Sequence, residues 1–341
     1  MLAVSELSLM LVVVTALIWA SVQFMSVVTS ISTSTPTLSA SCSERCVTRL
    51  ALTEDGHRMW VYRLRLGVAC LNLQNGNVEQ SIPLMGMDLA ALAHDREGST
   101  TITCDVDGTV ALFRDSEVTQ AAHLKKNDVI IDASVSHDGS VAACVTSCGL
   151  VFGWKFDGTE VSEFQFQLPV HFNVTRLTLS RDGQRMFLAS RDGFATILDS
   201  ETGMHISHCL NVGEICTRFV WSDDERLVAI MTTSGLVRVY DIVASRIVCE
   251  VGTGSSTWQS NSRTLQISPD GRRVAIATEK STEISILDLE TGKICGTLCG
   301  HMGMVSTLQF ASTSDRLFSG SYDGTIREWS LQTYSQLRVI N

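Results

Sequence analysis

Residues 267–293 read ISPDGRRVAIATEKSTEISILDLETGK. A short apolar run meets Ser268-Pro-Asp270-Gly271, a second apolar run follows, then a polar break, a third run ending at Asp288, and a Thr-Gly turn. The Asp-Gly step supplies the left-handed backbone that a tight turn between antiparallel strands requires. The stretches 179–204 (LSRDGQRMFLASRDGFATILDSETGM) and 135–160 (VSHDGSVAACVTSCGLVFGWKFDGTE) repeat the plan. A fourth apolar run closes each unit, as in Ile294-Cys-Gly-Thr-Leu298.

Fainter copies fall on the same frame. Their first turns lie at Gly56, Gly98, Gly139, Gly183, Glu225, Gly271 and Asp315, 41 to 46 residues apart. Residues 42–341 hold seven such units. The strands are short and rich in Val, Ile, Leu and Thr, and no stretch of helical periodicity separates them. With 45% hydrophobic and 18% charged residues the chain can build a large core. A single four-stranded sheet, apolar on both faces, cannot bury either alone, whereas radial stacking buries both. A period of 40–45 residues with four strands per unit predicts an all-β fold, a seven-bladed β-propeller of four-stranded antiparallel blades. Two closures of the ring remain open. Each unit can supply its own four strands, with Gln336–Ile340 last, or residues 42–49 can join the final blade.

The last unit carries Gly300-His301, Val305-Ser-Thr-Leu-Gln-Phe310 and Leu317-Phe-Ser-Gly-Ser-Tyr-Asp323-Gly-Thr-Ile-Arg-Glu-Trp329. It resembles a WD-repeat. The resemblance implies a structural tetrad of His301, Ser319 (or Ser321), Asp323 and Trp329, a hydrogen-bonded set that fixes blade geometry. The other units are degenerate. Asn72, Phe113, Trp154, Leu198, Tyr240 and Leu287 stand at the tryptophan position, and Cys148 and Ser234 replace two turn aspartates. The resemblance also implies partner binding on the narrow face around the central channel. The matching positions are Tyr322, Met304 and Ser306 in the last blade, and Arg191, Asn173 and Thr175 in the fourth.

Ahead of the repeats, residues 1–6 form a short flank and residues 7–28 an uncharged apolar run of bilayer-spanning length. Residues 29–45 read as a Ser/Thr-rich linker, and the propeller is assigned to 46–341. The run predicts a single-pass membrane helix. Arg45 and Arg49 on its C-terminal side would keep the propeller cytoplasmic. Cleavage of the run as a signal peptide, giving a secreted or periplasmic chain, is the alternative.

Reactive constellations are not evident. The net charge of −10 argues against nucleic-acid binding, which calls for a basic stripe. The eleven cysteines are odd in number, fall mostly in apolar runs, and read as reduced core thiols. The pairs Cys42/Cys46, Cys144/Cys148 and Cys295/Cys299 are four apart, about 13 Å along a strand, too far to share a metal. His205 and His208 point to opposite faces of a strand. No nucleophile elbow or phosphate-cradling glycine loop occurs. The sequence thus predicts a membrane-anchored, non-catalytic scaffold that binds a protein or peptide and needs no cofactor or metal. An extracytoplasmic propeller enzyme or small-ligand binder is the competing reading.

Overall fold

The computed structural model describes residues 46–341, save 54, 64–66, 83–88, 96–99, 106–107, 115–116, 124–128, 158–159, 170–172, 212, 245, 253–263, 278–281 and 341. The expected membrane helix over 7–28 and the linker over 29–45 lie outside the described residues. Among those described, no helix is long and apolar enough to cross a membrane.

The described residues form seven four-stranded antiparallel sheets, each built from consecutive strands. Blade one contains Val47–Leu52, Arg58–Arg63, Gly67–Asn72 and Val78–Ile82. Blades two to six occupy 89–123, 130–167, 174–211, 216–252 and 264–298. Blade seven contains Val305–Phe310, Arg316–Ser321, Ile326–Ser330 and Ser335–Ile340. First strands are innermost and line a shared channel. Fourth strands face outward, leaving Ile206, Ile247, Ile294 and Leu337 exposed.

Burial explains the arrangement. Each pair of neighbouring blades encloses one apolar cluster. Leu177, Met186 and Leu188 of blade four meet Val141, Ala143 and Val145 of blade three. Val274 and Ile276 of blade six meet Met231 and Val239 of blade five. Both faces of a sheet are therefore hidden, one against each neighbour, as continuous apolar second strands require. Val141–Thr146 is buried at every position.

The ring closes without strand exchange. Ser335–Ile340 pairs with the third strand of its own blade, and residues 47–49 belong to the inner strand of blade one. Closure rests on side chains. Val47, Leu50 and Met59 pack on Phe318 and Ile326. The backbone N–H of Leu50 donates to Thr307 Oγ1 at 3.2 Å. The Ser306 hydroxyl donates to Val47 O, and Arg338 of the outer strand donates to Leu73 O.

One turn device recurs. Ser136, Ser180, Ser222 and Ser268 each donate a hydroxyl to the aspartate two residues on, at 2.5–2.7 Å. Each hydroxyl oxygen also accepts from the N–H five residues on, at 2.8–2.9 Å. The turn needs a left-handed residue next to the aspartate. Gly139 (φ 70°), Gly183 (φ 67°) and Gly271 (φ 67°) supply it, and Glu225 adopts φ 56°. In blade seven the left-handed residue is Ser314, not the expected Asp315. The frame also slips by one in blade one. Leu71, paired with Met59, holds the place of Trp329, paired with Leu317, so Asn72 is displaced from it. Asn72 instead caps the following turn, accepting from Gln74 N–H at 2.9 Å, as Asp199 accepts from Thr202 N–H at 2.8 Å.

Candidate functional site

Blade seven brings His301, Ser319, Asp323 and Trp329 together. His301 enters on the segment before the inner strand, Ser319 lies mid-way along the second strand, and Trp329 faces it from the third. His301 Nδ1 is 2.9 Å from Asp323 Oδ2, and Nε2 is 2.7 Å from Ser319 Oγ. Trp329 Nε1–H donates to the same Ser319 oxygen at 2.7 Å. A carboxylate only accepts, so Nδ1–H is the donor and Nε2 accepts the Ser319 hydroxyl proton. The imidazole nitrogens, the Ser319 hydroxyl and the indole N–H are then all satisfied. Ser321, the other candidate, accepts from Asp323 N–H at 3.0 Å and orders the turn.

Electrostatics follow from the same contacts. Burial lowers the His301 pKa and outweighs the opposing pull of Asp323. For Asp323, burial acts upward. Hydrogen bonds from the Thr325 hydroxyl, from the Met302 and Thr325 backbones and from His301 overcome it, and the carboxyl stays well below its usual range. A neutral, doubly bonded imidazole has no lone pair or proton to offer a substrate. The cluster is a staple. Thr325, whose hydroxyl lies 2.6 Å from Asp323 Oδ1, belongs to it as well, and only its place after the Asp-Gly pair hinted at that.

The six positions expected to meet a partner lie at two equivalent places in blades seven and four. Tyr322 N–H donates to Met304 O at 3.0 Å, and Arg191 N–H donates to Asn173 O at 2.7 Å. Each of these bonds ties the turn after the second strand to the residue before the inner strand. Arg191 and Asn173 are exposed, Tyr322 and Met304 half-buried, and neighbouring Met302 is 89% exposed. Thr175 and Ser306 behave differently. The Thr175 hydroxyl lies within hydrogen-bond distance of Ala189 O (3.2 Å) and Cys216 O (3.3 Å). The Ser306 hydroxyl is placed in the same way between Gly320 O and Val47 O. Both are ties between adjacent blades.

The inner strands enclose a cavity of about 380 Å³ along the channel. The cysteines split. Cys70, Cys104, Cys144, Cys216 and Cys249 are buried free thiols, but Cys148, Cys295 and Cys299 are exposed, not core as expected. Among the described residues no group of three or more His, Cys, Asp or Glu is placed to hold a metal. His205 is exposed and sits 3.0 Å from Thr196 Oγ1.

Comparison with known proteins adds to this geometry. Residues 292–330 match the family model "WD domain, G-beta repeat". Residues 186–304 match "Cytochrome D1 heme domain". The described residues of that stretch do not fit a haem in the channel. Those that line the cavity include Arg218, Phe219, Trp221, Asp223 and Gln266, with no His, Cys, Met or Tyr among them to ligate iron. The buried His301 has both ring nitrogens engaged. The chain is 30% identical to Periodic tryptophan protein 2 of Saccharomyces cerevisiae over 55% of its own length and 20% of that protein's. It is 29% identical to the U3 small nucleolar RNA-associated protein 21 homolog of Schizosaccharomyces pombe, over 53% of this chain and 20% of that one. The chain thus spans about a fifth of these relatives. Among solved structures, the β-propeller domain of Cps50 (Swd1) from Myceliophteria thermophila superposes with a TM-score of 0.69 at 16% identity, covering 84% of this chain and 96% of that one. The relatives correct the expected location. Proteins named for the U3 small nucleolar RNA overturn the single-pass membrane placement drawn from residues 7–28.

Proposed function

Because this chain belongs to the WD-repeat β-propeller family, we propose that it is a non-catalytic platform that binds a protein or peptide on the face carrying Tyr322, Met304, Arg191 and Asn173. The observation behind this reading is the equivalence of the two turn pairs. Tyr322–Met304 and Arg191–Asn173 sit at the same place in different blades, and each turn is held by a backbone bond while its side chains differ. A rigid ring of variable side chains suits recognition, because it costs little conformational entropy on binding. Tyr, Met and Arg are also enriched in interface cores. Thr175 and Ser306 contribute indirectly, by joining the blades that present the surface. The relatives named for U3 small nucleolar RNA favour a partner within a nucleolar ribonucleoprotein assembly.

The test is affinity capture with the wild type and the Tyr322→Ala/Arg191→Ala double variant. Loss of one or more partners at unchanged melting temperature is expected. An identical set of captured proteins rejects this face. Imaging a fluorescent fusion addresses the location, and exclusion from the nucleolus counts against the assembly named here.

A further inference from the structure

Three units open their inner strand alike: Val47-Thr48-Arg49-Leu50, Val174-Thr175-Arg176-Leu177 and Cys216-Thr217-Arg218-Phe219. In all three the strand register shifts just before the arginine. Such an irregularity re-aims the side chain that follows. Arg49, Arg176 and Arg218 therefore stand at one level of the channel, near the face that carries Tyr322 and Arg191, and all three line the cavity. Thr264, Thr307 and Asp132 occupy the same level in other blades. Among the described residues, three cations and one carboxylate stand at that level.

Two of the cations, Arg176 and Arg218, are crowded together and held by the backbone. Arg176 Nε and Arg218 NH1 both donate to the carbonyl oxygen of Thr217, at 3.1 and 3.0 Å. Arg176 NH1 also donates to Thr175 O at 2.8 Å. Asp132 is committed in part to the backbone, accepting from Leu177 N–H at 3.1 Å. Burial depresses the Arg176 pKa first; Asp132 opposes this, and Arg49 across the channel depresses it further. Holding like charges together costs free energy that a bound anion would recover. The far end of the same cavity has the opposite character, with Asp95, Asp223 and Glu225 against Arg181. The channel is thus polarised along its axis inside a chain of net charge −10.

We propose that this arginine level is a binding site for a compact multivalent oxyanion of the phosphate type. Fixed guanidinium groups present paired donors that match phosphate oxygens in charge and shape. The cavity volume falls in the range of small-ligand pockets. The site is independent of the docking face, since its ligand enters the channel.

Isothermal titration of the full-length chain with inorganic tripolyphosphate tests it. One site per chain is expected, with micromolar affinity that weakens as salt rises. Arg49→Ala and Arg218→Ala should each weaken binding about tenfold or more. Arg181→Ala, at the acidic end, should change it less than about twofold. Arg49 is exposed, so Arg49→Ala carries the test even where Arg218→Ala folds poorly. No binding by the wild type overturns the site. Equal weakening by Arg181→Ala and Arg49→Ala also overturns it, because attraction would then be diffuse.

Discussion

Blades seven and three bury a tryptophan at the same register, yet only one of the two indoles has an acceptor. Trp329 pairs across the strands with Leu317, and Trp154 with Ala142. Trp329 Nε1–H donates to Ser319. Trp154 Nε1 has no hydrogen-bond partner among the described residues. The place of Ser319 is taken in blade three by Cys144, and that of Asp323 by Cys148. Blade three keeps its shape all the same. Its indole packs edge-on to Phe152 with centroids 5.0 Å apart, inside a cluster with Cys104, Cys144 and Phe156. Strand pattern and inter-blade burial thus set blade geometry, and the polar network of blade seven is an added staple. An orphaned indole N–H costs about 1–3 kcal/mol, which the apolar packing of blade three offsets.

The sharpest way to break the comparison is to remove Asp323. Asp323→Ala takes the carboxylate from His301 Nδ1–H, leaving it only the longer contact to Thr325 Oγ1 at 3.3 Å, and frees the Met302 and Thr325 N–H groups. We expect a loss of about 3 kcal/mol, read as a lower midpoint in chemical denaturation. The counterpart Cys148→Ala, at an exposed thiol, should cost less than about 1 kcal/mol. Equal losses would mean that the tetrad does not staple blade seven.

Acid should act on the same blade. Burial holds the folded-state pKa of His301 below its ordinary value of 6.5. Between those two values the unfolded chain binds more protons, so stability falls as the pH drops through the unfolded value. Asp323 has the same sign at lower pH, since its carboxyl is also depressed; its contribution is present above 3.8 and lost below. Denaturation midpoints should therefore decline from pH 7 to pH 5 in the wild type. In His301→Gln the decline should be shallower. Parallel curves would show that His301 is not the group responsible.

How much of this was legible depends on whether a feature is local in sequence. The Ser-x-Asp-Gly turns could be read directly, because hydroxyl, carboxylate and left-handed glycine lie within six residues of one another. The tetrad could be read in blade seven, where the Gly-His pair and the Asp-Gly-x-x-x-x-Trp spacing survive. Blade one misled, since Gly67 is paired with Arg63 and stands at the place of Thr325, one residue past that of Gly324, so that Leu71 takes the tryptophan position and Asn72 the capping role. The ties made by Thr175 and Ser306 could not be read, because their acceptors are carbonyls on the next blade, 41 and 259 residues away. The arginine level was written in three Thr-Arg steps. It acquires meaning only when the ring brings blades one, four and five to one channel.

The finest test of the comparison is to give blade three the acceptor it lacks. Cys144→Ser places a hydroxyl where blade seven has Ser319, within reach of an indole N–H that needs one. The gain is limited on two sides. A buried hydroxyl must itself be satisfied, and the thiol it replaces packs against Cys104 in the same cluster. The net change should be a stabilisation of no more than about 1 kcal/mol, the usual net worth of one hydrogen bond. The Trp154 indole N–H should gain hydrogen-exchange protection at the same time. A destabilised variant with an unprotected indole would show that blade three is closed to the polar solution found in blade seven. Apolar packing around Trp154 would then be the arrangement to which its neighbours are fitted, rather than a remnant of a lost network.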